Sequence, residues 1–258
     1  MEFRPDNLSC DLFLGGKLRI LQPKSGYRAG VDPVLLAASV RAFGGDSVLE
    51  LGCGAGVASL CLAARVPGLA LTGVELQEDY ADLARQNAAS NGIGLDIYRA
   101  DLRNLPDQVL QSSYGHVIAN PPYYLRDRGT GSANTGRDLA LREQTPLADW
   151  IEIATRRLKP KGYLTIIQDA ERLPALLAAI DGRLGDVKLL PFAPRIGRPA
   201  HLVILQARKG ARGSFRLLAP VIMHQGDAHD GDRESYTQQI GAILRKGAAL
   251  NLDPVKKK

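Results

Sequence analysis

Short apolar runs alternate with segments of helical periodicity along most of the chain, and that alternation predicts an open α/β sheet. The runs at residues 47–51, 70–74, 95–98, 115–119 and 163–167 are too short for helices and carry β-branched residues, so they read as strands. Helices are expected between them at 57–65, 78–90, 146–158 and 173–180, the third stopped by Lys159-Pro160-Lys161-Gly162. Residues 187–192 and 201–207 read as two closing strands forming a hairpin-like edge, followed by a tail segment 215–223 and a helix-like 236–244. Ahead of the core, 11–22 alternates polar and apolar residues about Gly15-Gly16 and predicts a hairpin. Asp32 followed by Pro33 reads as a helix N-cap and first helical position, with the helix running to about Phe43. Residues 1–43 are thus expected to pack as a small hairpin and helix on a core of 44–258, in one globular unit.

In an open α/β sheet, ligands bind in the crevice outside the carboxyl ends of the strands, and the polar punctuation of this chain gathers there. The first core strand runs into Gly52-Cys53-Gly54-Ala55-Gly56, a turn that lets a ligand approach the backbone and a helix N-terminus. A dinucleotide fingerprint would need its third glycine at Val57, so that reading is set aside. Glu75 ends the second strand, where a carboxylate can accept both hydroxyls of a ribose; as a lone acid it would simply be solvated. Asp101, after the third strand, can receive the exocyclic amine of an adenine with the Leu102 N–H near the ring, or can cap the turn that follows.

The fourth strand ends in Asn120-Pro121-Pro122-Tyr123. Two prolines stiffen this turn, and a residue before proline is pushed out of the helical region. The Asn120 side-chain oxygen and the Pro121 carbonyl can then accept both N–H bonds of an amino group on a planar π system, while Tyr123 stacks on its plane. The polar segment 125–144, with Arg126, Arg128, Arg137 and Arg142, reads as a lid or RNA contact or else as solvated surface. Lys24 and Arg28, near the site entrance, can meet phosphate, and Tyr124 can help or simply pack.

With 258 residues, 45% hydrophobic and 23% charged, the composition is that of a globular protein able to bury a large core. The net charge of +6 favours a polyanionic partner without proving one. Cys10, Cys53 and Cys61 form no CxxC pair and the four histidines are scattered, so no metal site is expected and a reducing compartment is favoured. No apolar run follows a basic start and none approaches membrane-spanning length, which predicts a cytoplasmic protein with no membrane partner. The terminal Lys256-Lys257-Lys258 reads as a solvated tail or an RNA contact.

With the glycine turn, Glu75, Asp101 and Asn-Pro-Pro-Tyr on successive strand ends, the chain resembles the class I S-adenosylmethionine-dependent methyltransferases. That resemblance implies a Rossmann-like fold: a seven-stranded, mostly parallel sheet with an antiparallel edge strand, helices on both faces and here a small N-terminal β-hairpin. It implies S-adenosyl-L-methionine as cofactor, held by Gly52, Gly54, Gly56, Glu75, Leu76, Asp101, Leu102 and Asn120, with Asn120, Pro121, Pro122 and Tyr123 as the catalytic turn. The Asn-Pro-Pro-aromatic turn looks like the subset that methylates adenine N6 in nucleic acids or glutamine N5 in proteins. Gln22-Pro23, Gly26-Tyr27-Arg28, Asp32 with its leucine-rich helix, the strands from Arg195 to Lys209, and Met223-His224 with Tyr236-Thr237 are similar to bacterial tRNA (adenine-N6)-methyltransferases acting beside the valine tRNA anticodon. That likeness spans roughly residues 10–245 and implies tRNA as partner, contacted by Lys24, Arg28, Tyr123, Tyr124 and Arg126. Methylation of rRNA or DNA adenine, N5-methylation of a protein glutamine, and an RNA-binding module without turnover are the rival readings.

Overall fold

The computed structural model describes residues 3–122, 145–226 and 235–253. Tyr123, Tyr124, Arg126, the rest of 125–144 and the terminal lysines lie outside the described residues. An N-terminal hairpin, β1 (Leu8–Phe13) and β2 (Leu18–Pro23), leads through α1 (Asp32–Ser39) into β3 (Ser47–Leu51), α2 (Val57–Arg65), β4 (Ala70–Glu75) and α3 (Glu78–Ser90). Then follow β5 (Asp96–Arg99), α4 (Asp107–Leu110), β6 (Tyr114–Ala119), α5 (Leu147–Arg157), β7 (Leu158–Asp169) and α6 (Leu173–Ala178). The chain closes with β8 (Leu184–Ala193), β9 (Leu202–Lys209), β10 (Arg216–Leu217), β11 (Val221–Ile222) and α7 (Gln238–Lys246).

Successive side chains of a strand point to opposite faces, and here both faces are dry. Val48 and Ile118 pack with α1, α2 and the hairpin, whereas Leu49, Val117 and Ala119 pack with α5 on the other side. A strand buried on both faces needs apolar residues throughout, which is why the runs are continuous. Parallel pairing of β5, β4, β3, β6 and β7 brings their five carboxyl ends to one edge. The hairpin joins the same core through Leu14, Leu18 and Ile20. No helix among the described residues is long and apolar enough to cross a membrane.

The sheet differs from the expected one in count and in its edge. Among the described residues it has nine strands in the order β10-β8-β9-β7-β6-β3-β4-β5, with β11 also on β8. The antiparallel strand, β9, lies between β7 and β8 and not at the edge. Left open, β8 would offer a row of unpaired backbone groups, and the two-residue strands β10 and β11 cover it in parallel register. Helix α1 stops at Ser39, well short of Phe43, because Arg65 of α2 donates to the carbonyls of Ala37 and Val40 and closes its end. Asp32 lies in the first turn, and the cap position belongs to Val31. Strand β7 begins at Leu158, directly after α5, so Lys159-Pro160-Lys161-Gly162 forms an irregular start to the strand and not a loop before it. The last helix begins two residues late, at Gln238, where Thr237 Oγ1 accepts from the Ile240 N–H.

Candidate functional site

The glycine turn joins β3 to α2 with all three glycines at positive φ (64°, 53° and 81°), a region costly for other residues. Their surroundings separate their roles. A side chain at Gly52 would put its Cβ 2.5 Å from the Trp150 indole, so this glycine makes room for packing. At Gly54 the nearest group is the Tyr27 ring, 3.9 Å from where a Cβ would lie, which leaves the backbone approachable. Gly56 packs against Ala84 and Leu95. Buried Asn87 of α3 pins the turn to the hairpin, donating to the Ala55 and Leu21 carbonyls and accepting from the Leu21 N–H at 2.7 Å.

Glu75 reaches back from the end of β4 to this turn and is only 8% exposed. Its Oε2 accepts from the Gly54 N–H at 2.8 Å and its Oε1 from the Gln77 N–H at 2.9 Å, so carboxylate and turn hold one another. Leu76 beside it is exposed. Glu50, one strand over, is buried beneath the turn and accepts from the N–H and hydroxyl of Ser59 in the first turn of α2. Burial pushes its carboxyl up from the ordinary 4.5 to about 7. Sequence reading passed over Glu50 and Asn87 because a single polar residue inside an apolar segment does not reveal its partner.

Beyond β5, Asp101 takes up the capping role weighed as its alternative. It accepts from the Arg103 N–H at 2.9 Å, and its Oδ2 pairs with the Arg103 guanidinium at 2.8 Å. Those hydrogen bonds hold its carboxyl below the usual range. Leu102 follows it, buried.

Asn120 follows β6, and its side chain is divided between two environments. Nδ2 donates to the Tyr27 hydroxyl at 3.4 Å, while Oδ1 is buried and has no hydrogen-bond partner among the described residues. A buried acceptor left unpaired costs about 1–3 kcal/mol. The Pro121 carbonyl, expected to be an open acceptor, already receives the amide of Gln168 at 3.2 Å. One lone pair of that oxygen is thereby used and one is left. Gln168 is fully buried at the end of β7 and is itself held by the Asp169 N–H at 2.8 Å. It fastens the Asn-Pro-Pro turn to the neighbouring strand, a role no local sequence signal announces.

Lys24 and Arg28 have work inside the fold. Lys24 donates to the Asp6 carbonyl, and Arg28 binds Asp11 at 2.6 Å and the Ser9 hydroxyl and Pro23 carbonyl at 2.8 Å each. Gln22 completes this knot, donating to Asp11 and accepting from the Ala29 N–H. The structure therefore brings together Gly54, Glu75 and Asn120, with Tyr27 added; Arg28 turns back to the hairpin.

The methyltransferase small domain model matches residues 31–190. A Porphyromonas gingivalis tRNA1(Val) (adenine(37)-N6)-methyltransferase is 30% identical over 200 residues, covering 71% of this chain and 77% of that protein. The enzyme of the same description from Dickeya chrysanthemi is 28% identical over 78% of this chain and 80% of its own. Among solved structures, an Agrobacterium tumefaciens protein described as a predicted O-methyltransferase superposes with a TM-score of 0.68 at 26% identity, covering 85% of this chain and 98% of that one. A Thermus thermophilus 16S rRNA N2 G1207 methyltransferase solved with AdoMet and guanosine shares the fold, with a TM-score of 0.54 at 18% identity over 78% of this chain and 50% of its own.

Proposed function

Because the chain belongs to the methyltransferase small domain family, whose match spans more than half its length, we propose that it transfers a methyl group from S-adenosylmethionine to the exocyclic N6 of an adenine in tRNA. The relatives named for adenine 37 of tRNA1(Val) direct that reading to the adenine beside the anticodon of a valine tRNA. The observation that carries it is the buried, unpaired Oδ1 of Asn120, an acceptor at the end of β6 with no donor among the described residues.

The residues present suit the cofactor. Gly54 has no side chain of its own to block approach to its backbone, and Glu75, held by the same turn, is assigned the ribose hydroxyls. Leu76 and Leu102 flank the place assigned to the adenine of the cofactor. Asp101 is assigned its amine through a lone pair left over from Arg103. When bound, S-adenosylmethionine supplies an electrophilic methyl on a sulfonium sulfur.

The amine of an adenine is a weak nucleophile because its lone pair is delocalised into the ring. Asn120 Oδ1 and the remaining lone pair of the Pro121 carbonyl accept its two N–H bonds and favour a more tetrahedral nitrogen. Pro122 keeps the turn stiff, and Gln168 fixes the Pro121 carbonyl, so the geometry is set before substrate arrives. Both acceptors are neutral, which suits an amine: its nitrogen can take the methyl with both protons in place and then, as a cation, shed one to solvent, whereas a hydroxyl substrate would need a base to take its proton first. The adenine must leave its stack to reach this turn, which is easiest in a single-stranded loop. Tyr123 is assigned as its stacking platform, with Tyr124 and Arg126 following, on their places in the sequence.

The test is methyl transfer from labelled S-adenosylmethionine to unmodified bulk tRNA, read by nucleoside mass spectrometry and mapping of the labelled species. N6-methyladenosine beside a valine anticodon is expected. Label in rRNA, in DNA or in a protein glutamine, with none in tRNA, would overturn the reading.

A further inference from the structure

Tyr27 reaches the site from outside the strand ends, and two hydrogen bonds fix it there. Its carbonyl accepts from the hydroxyl of Tyr80 at 3.0 Å, a buried residue of α3. Its ring passes beside Gly54, and its hydroxyl accepts from Asn120 Nδ2 at 3.4 Å. The flanking residues deliver it: Gly26 turns the chain at φ +101°, and Arg28 anchors the next position to Asp11, Ser9 and Pro23.

An asparagine amide has two orientations related by a half-turn, one presenting an acceptor and the other two donors. Only the first is useful to a substrate amine, because a donor pair would oppose the amine's own N–H bonds. We infer that Tyr27 is a positioning residue for methyl transfer, its hydroxyl accepting from Nδ2 of Asn120 with its own proton directed away from the carboxamide, so that Oδ1 is the atom offered to the amine. This rests on Asn120 being the acceptor for that amine. It gives the Gly26-Tyr27-Arg28 stretch a task in the reaction: the hairpin and α3 place a hydroxyl that sets the orientation of a side chain on β6.

The experiment compares wild type with Tyr27→Phe, which keeps the ring and removes the hydroxyl. The expected result is a fall in kcat of about tenfold on unmodified tRNA, while the Kd for S-adenosylmethionine by calorimetry changes less than twofold, which also shows that the variant is folded. In an Asn120→Asp background a carboxylate offers an acceptor in either orientation, so Tyr27→Phe is expected to cost less than twofold there. An unchanged kcat, or the same loss in both backgrounds, overturns the inference. A readout without substrate runs beside it: the side-chain 15NH2 signals of Asn120, assigned by their disappearance in Asn120→Asp, shift in Tyr27→Phe. Signals that do not move overturn the inference on their own. A wild-type chain that methylates no tRNA adenine overturns the proposed substrate instead, so the two failures are told apart.

Discussion

The ends of β4 and β6 lie at the same edge of one sheet and treat their polar groups in opposite ways. At the end of β4 the Glu75 carboxylate is pinned by two backbone N–H groups, one of them from the glycine turn it faces. At the end of β6 the Asn120 carboxamide has one atom engaged and one buried acceptor unpaired among the described residues. The first arrangement is assembled by folding. The second carries a cost of about 1–3 kcal/mol that a donor on an incoming group can relieve. The molecule is thus pre-shaped where the cofactor is assigned and left unsatisfied where the amine is assigned, which is where differential stabilisation of a transition state is useful.

Removing the unsatisfied acceptor gives the largest expected effect. Asn120→Ala should lower kcat by about 10²–10³-fold, as loss of one preorganised polar group commonly does, with a much smaller loss of cofactor affinity. A loss confined to cofactor affinity would erase the contrast between the two strand ends. Glu75→Ala should act the other way round. It strands the Gly54 and Gln77 N–H groups, so stability should drop by about 1–3 kcal/mol in denaturant unfolding, and cofactor Kd should rise at least about tenfold. A variant that binds cofactor normally would remove Glu75 from that site.

Beneath the glycine turn, Glu50 sharpens the comparison through pH. Its carboxyl is raised from 4.5 to about 7, so the folded state holds its proton more tightly than the unfolded chain does. The associated stability is fully present below about pH 4.5 and is lost as pH rises through 7, on the order of 3 kcal/mol at most. Glu50→Gln keeps an acceptor for Ser59 and has no proton to lose. Its melting temperature relative to wild type should therefore climb between pH 5 and 8; parallel curves would show that Glu50 does not titrate there. The smallest effect is expected at Gln168→Leu, which frees the Pro121 carbonyl from its brace. A several-fold fall in kcat with unchanged cofactor Kd is predicted, and a kcat equal to wild type would mean that the turn is stiff without it.

Local signals carried much of this architecture. The glycine turn, Glu75 and Asn-Pro-Pro punctuate strand ends, and the parallel sheet follows from continuous apolar runs separated by helices. What was missed involves partners far apart in the chain. Residues 216–222 cover β8, Gln168 braces Pro121, and the Tyr27 hydroxyl meets Asn120, contacts that no periodicity encodes. Arg28 illustrates the same limit: as an isolated basic residue it can meet phosphate, yet in the fold it binds Asp11 and the hairpin backbone. The sequence by itself determined the strand and helix order and which residue types stand at the strand ends, because hydrophobic spacing and turn chemistry act over a few residues. Only the tertiary structure decided which of those polar groups are already paired and which still lack a donor, because hydrogen-bond partners are chosen by packing between elements tens of residues apart.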